Sequence, residues 1–166
     1  EAEKIRLEKE GERIPVSAID KYGKSIKKSK KVISDFPESK YVNSAIILMA
    51  KSQFHRQEYD LAINNIKSIL NSVENKQKEE AIYWIALCKW KKGNLQTAIN
   101  ELEDLISKSQ INTIKSMAFL SLSEIFNELK DLNKSIDFLQ EAGKLTNERS
   151  QKGIIYNKLA EMAFDK

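Results

Sequence analysis

Apolar residues along this chain recur at intervals of three and four, and no alternating stretch is long enough to predict a strand. The spacing predicts helices almost throughout, separated by short polar turns. The stretch from Ala45 to Phe54 aligns with that from Ala81 to Trp90 and with that from Ala118 to Asn127. The small residues Ala50, Ala86 and Ser123 of these stretches, and Ala160 beyond them, recur at spacings of 36, 37 and 37. A second series follows with nearly the same period: Tyr59-x-x-Ala62-Ile63, Leu95-x-x-Ala98-Ile99 and Leu132-x-x-Ser135-Ile136. Self-similarity at a fixed period is the signature of a repeat architecture. Each unit reads as a helix, a polar turn and a second helix.

The amino-terminal region keeps this pattern less well. A short charged helix is predicted near residues 2–13 and a longer one over residues 16–35, with Pro15 between them. The second is closed by Phe36-Pro37-Glu38-Ser39.

The units resemble tetratricopeptide repeats, in which large and small positions alternate at set places on both helices. The second unit carries Ile46, Met49, Ala50, Ala62, Ile66 and Ile69 at those places. The third carries Ile82, Ile85, Ala86, Gly93, Ala98, Leu102 and Leu105, and the fourth Phe119, Leu122, Ser123, Phe126, Ser135, Leu139 and Ala142. A fifth first helix holds Tyr156, Leu159, Ala160 and Ala163. The period exceeds the family's usual one, and the aromatic slides one place to Phe54 and Trp90. The resemblance implies an all-α fold, a right-handed superhelical solenoid of antiparallel helix pairs in a single domain. Its divisions are a degenerate unit over 1–40, repeats over 41–76, 77–112 and 113–148, and a terminal helix over 149–166. Small residues such as Ala50, Ala62, Ala86 and Ala98 then let helix axes approach closely, and stability comes from stacking neighbours.

The family's register also implies a groove. Ile47, Lys51, Phe54, Tyr83, Leu87 and Trp90 face it, followed by Leu120, Glu124, Asn127, Glu128, Asn157, Glu161 and Phe164. Its aromatics would seat a helix or an extended peptide of a partner protein, and Tyr83 is expected to be exposed. Alternatively, Phe54 and Trp90 fill the core place of the displaced aromatic. A Lys and Asn clamp for an acidic carboxyl terminus is absent, since its places hold Ile47 with Lys51 and Tyr83 with Leu87.

Composition narrows the chemistry. A chain of 166 residues is about one domain, and no apolar run approaches the ~20 residues of a transmembrane helix. One Cys (Cys88) and one His (His55) cannot assemble a zinc site without several carboxylates, and no phosphate-binding or hydrolase motif is present. The expectation is a protein that is not an enzyme and carries no cofactor or metal. Cys88 is expected inside a helix pair, and His55 at a solvent edge beside the turn.

The net charge is +4, with 24 Lys against 4 Arg. Arg is the preferred bidentate reader of bases and phosphates, so nucleic acid is not expected. Lys21, Lys24, Lys27, Lys28, Lys30 and Lys31 lie in a stretch that holds no acid before Asp35. Lys24, Lys27, Lys28 and Lys31 share one helix face. That face is either simply solvated or a contact for an acidic partner or anionic lipid headgroups.

The run from Phe36 to Tyr41, followed by Tyr59-Asp60-x-Ala62, is similar to repeat proteins of the bacterial cell envelope. Examples are the outer-membrane barrel-assembly lipoprotein and the Tol-Pal accessory protein. The Lys, Ile and Asn bias of an AT-rich genome adds periplasmic flagellar-motor scaffolds. The expected role is an interaction scaffold on the periplasmic side, and the alternative is a cytosolic regulatory module that binds a peptide or helix. A chain beginning at Glu1 without Met is expected to be a fragment or a processed form.

Overall fold

The computed structural model describes residues 15–164. Among the described residues are eight α-helices and no strand: α1 (Val16–Asp35), α2 (Val42–His55), α3 (Tyr59–Ile69), α4 (Asn75–Lys91), α5 (Leu95–Lys108), α6 (Asn112–Glu128), α7 (Leu132–Leu145) and α8 (Arg149–Phe164). The architecture is an all-α helical repeat. The helix expected near residues 2–13 lies outside the described residues. The helices group into two compact units, one ending at Val73 and the other beginning at Glu74.

In the first unit α1 packs on α2 and α2 on α3. The Pro15 carbonyl accepts hydrogen bonds from the Ala18 and Ile19 amides (2.8 and 3.1 Å), and its missing N–H is no loss at a helix start. The helix stops before Pro37, which disfavours helical backbone in the residue preceding it. Ile46, Ile47, Ile69 and Val73 form a buried cluster against which Ile33 and Val42 pack. Gly23 stands where α1 meets Arg56: a Cβ there would lie 3.3 Å from the guanidinium. That guanidinium pairs with Glu58 at 2.8 Å.

In the second unit α4 packs on α5 and α6, α6 on α5 and α7, and α7 on α8. Leu102, Leu122, Ile125 and Leu139 are fully buried and Ile155 nearly so. Leu139, Ala142 and Ile155 are joined by Phe119, Leu120, Leu159 and Met162.

Small residues occupy the buried places the repeat pattern assigns them. Ala50, Ala62, Ala86, Ala98, Ser123 and Ser135 are all at most 1% exposed. Ala160 is exposed, because α7 covers the opposite face of α8 through Ile155 and Leu159.

The three turns inside the pairs are built alike. Each has three residues, and the middle one has positive φ: Gln57 (60°), Gly93 (87°) and Lys130 (63°). The next residue's amide returns to a carbonyl five positions back, Glu58 to Gln53, Asn94 to Lys89 and Asp131 to Phe126, at 2.8, 2.9 and 2.9 Å. This closes the helix end with a left-handed residue.

Candidate binding surfaces

The residues proposed to face a groove divide sharply by exposure. Ile47 is 4% exposed and belongs to the first unit's core. Lys51 and Phe54 are half-buried, and Phe54 meets the His55 ring edge-on at 5.3 Å and Tyr59 at 5.6 Å. In α4, Tyr83, Leu87 and Trp90 are 7, 6 and 5% exposed. The expectation of an exposed Tyr83 is therefore corrected: α5 and α6 cover α4, and these side chains fill the space between the helices.

Their polar atoms are satisfied inside the unit. The Tyr83 hydroxyl lies 3.0 Å from the Ser121 hydroxyl, which itself donates to the Met117 carbonyl at 3.1 Å. Burial pushes the Tyr83 phenol up to about 12, against the opposing effect of the Ser121 bond and with the support of the nearby Glu124 charge. The Trp90 indole N–H donates to Glu128 at 2.8 Å, and Lys91 sits 4.0 Å over the indole ring. Trp90 thus takes the core role that was the alternative for the displaced aromatic.

Farther along, Glu124, Asn127 and Glu161 of that register border open surface, whereas Leu120, Glu128 and Asn157 are not in its lining. A cleft of about 490 Å³ lies within the second unit, lined by Glu124 and Asn127 of α6, Lys130 and Leu132, and Lys158 and Glu161 of α8. Glu124 accepts a hydrogen bond from Lys158 at 2.6 Å. Its wall carries charges of both signs beside the apolar Leu132 and Met162 and no aromatic ring, unlike the aromatic groove that was expected.

The basic face is open. Lys24, Lys27, Lys28 and Lys31 are exposed, and no described residue forms an ion pair with any of them. Sequence reasoning missed the surroundings: Lys21, Lys24 and Lys28 border a second cleft, of about 310 Å³, together with Ser25 and Leu48. The spacing of three and four from Lys21 was the available signal, whereas nothing in the sequence marks Leu48 as half-exposed.

Cys88 is fully buried. His55 keeps an exposed edge while Tyr22 stacks on its ring at 4.9 Å, and the lost hydration lowers its pKa from the ordinary 6.5. Among the described residues no group of three His, Cys, Asp or Glu is placed to hold a metal ion, and no helix is long and apolar enough to cross a membrane.

Residues 80–109, from the first turns of α4 into the residue after α5, match the family model of the tetratricopeptide repeat. No curated protein matches the chain. The match falls on the helix pair that carries Ala86 and Ala98, within an all-helical repeat architecture; repeats of that family are protein-interaction modules.

Proposed function

We propose that this protein is a non-enzymatic adaptor that holds parts of a multiprotein assembly of the bacterial cell envelope, of the outer-membrane assembly or periplasmic flagellar-motor type. The observation that carries the adaptor reading is the repeat match over residues 80–109 within an all-helical fold. A stack of helix pairs offers extended surface but needs no catalytic group. Two open clefts, one of mixed charge and one basic, supply faces for partners.

The envelope setting rests on the run from Phe36 to Tyr41 and its likeness to envelope repeat proteins. Phe36 and Tyr41 are 62 and 61% exposed, so the core does not require these rings. Exposed aromatics of this kind suit protein contact.

Affinity capture from the source cells with the chain as bait, read by mass spectrometry, tests both levels. Reproducible capture of periplasmic or outer-membrane proteins is the expected result. Capture of cytosolic enzymes or transcription factors would favour the regulatory alternative, and no specific partner at all would reject the adaptor reading.

A further inference from the structure

The lysine cleft of the first unit has a chemistry that names its occupant. Lys21, Lys24 and Lys28 stand on one stripe of α1, displaced along the axis by about 4.5 and 6 Å at 1.5 Å per residue. Between Lys21 and Asp35 the helix carries no acid, and no described residue pairs with these three lysines. Several lysines elsewhere are paired with acids, Lys89 with Glu101, Lys108 with Asp104, Lys144 with Glu141 and Lys158 with Glu124. The positive charge along α1 is therefore a local excess.

The cleft also has an apolar wall. Leu48 of α2 is 51% exposed there, although its neighbours Ile47 and Met49 are buried. At the floor of the cleft α1 and α2 touch directly: the Ser25 and Ser52 hydroxyls lie 2.8 Å apart, and Ser52 donates to the Leu48 carbonyl at 2.9 Å. Cations on one side and a leucine on the other suit a chain that carries both carboxylates and an apolar side chain.

We infer that this cleft docks an acidic segment of a partner protein, with one large apolar side chain against Leu48 and flanking carboxylates on Lys21, Lys24 and Lys28. The inference rests on the adaptor reading and adds to it the partner's chemistry and its place. A flat anionic membrane answers the charge but cannot fill the concavity beside Leu48. Nucleic acid would favour Arg over Lys for bidentate phosphate contact.

The test is fluorescence anisotropy with the full chain and a short labelled peptide bearing one Leu flanked by Glu on both sides. Saturable binding that weakens with salt is expected. The peptide with Gln for Glu should bind at least about tenfold more weakly, as should the Lys24→Glu/Lys28→Glu variant with the original peptide. Leu48→Ala should weaken binding about fivefold, and Lys67→Glu, outside the cleft, should leave it unchanged. Circular dichroism checks that each variant stays folded, and all the altered side chains are exposed. Equal affinity for the Glu and Gln peptides, no binding, or binding indifferent to the Lys24 and Lys28 reversals would overturn the inference. So would stronger binding of the same face to phosphatidylglycerol vesicles or to single-stranded RNA. If the double variant still captures the native partners, the adaptor reading survives and only this docking site falls.

Discussion

Gln57, Gly93 and Lys130 hold the same left-handed place in three turns, yet only one of them is glycine. A side chain in that region costs about 1 kcal/mol or more, which glycine avoids. Lys130→Gly is therefore expected to raise stability by roughly 0.5 to 1 kcal/mol and Gly93→Ala to lower it by a similar amount, measured by urea unfolding. A destabilised Lys130→Gly would show that the turn is not the source of strain. At the small-residue contacts, Ala50 with Ala62 and Ala86 with Ala98 correspond to Ser123 with Ser135. The Ser135 hydroxyl donates to the Ser123 carbonyl at 2.8 Å and lies 3.1 Å from the Ser123 hydroxyl. Ser135→Ala strands the buried Ser123 hydroxyl and should cost about 1 kcal/mol, whereas Ser123→Ala/Ser135→Ala restores the all-alanine contact and should be near neutral. A double-mutant cycle reads the difference as coupling; purely additive costs would deny the shared network.

At the scale of elements, α4 decides where the groove is not. Ala81, Tyr83, Ile85, Ala86, Leu87, Cys88 and Trp90 are all buried, and a helical stretch apolar on every side, as α4 is from Ala81 to Cys88, belongs in an interior. Tyr83→Ala should therefore lower the melting free energy by about 3 kcal/mol, as large aromatic truncations in cores do, rather than act on a partner alone. Near-wild-type melting would return Tyr83 to the surface. Its phenol should also ionise above the ordinary tyrosine range in an absorbance titration. Because the unfolded phenol ionises near 10 and the folded one near 12, stability should fall as pH rises through that window, and Tyr83→Phe should remove this loss. The helices and their small-residue contacts were legible in the sequence because period and residue size fix them. Tyr83, Leu87 and Trp90 were misplaced because a register assigns a direction, while burial depends on how closely the neighbouring helix approaches. The unbroken apolar stretch from Ala81 to Cys88 was the signal for that. Leu48 was missed for the converse reason: it lies among buried apolar residues in sequence but beside a cleft in space.

Over the whole molecule, the single His makes acid sensitivity readable. His55 is desolvated by its stack on Tyr22, so the folded chain takes up its proton less readily than the unfolded chain does. The unfolded state binds more protons as pH falls through 6.5, and stability should decline there, with full benefit present above it. His55→Gln should flatten this part of the stability profile in urea melts at stepped pH; an unchanged slope would assign it to carboxylates instead. The charge excess of +4 is concentrated where α1 carries its unpaired lysines, so added salt should alter association more than folding.

The recurrence of one turn geometry at Gln57, Gly93 and Lys130, 36 and 37 residues apart, also bears on how such a chain changes length. A gene duplication or deletion that begins and ends at these residues rejoins a helix end to a loop of the same shape. Every side chain downstream then keeps its facing, because the inserted block is a whole number of helix pairs. Growth in this chain is quantised: it can gain or lose a pair without re-evolving the junction, whereas an insertion of any other length must rebuild one.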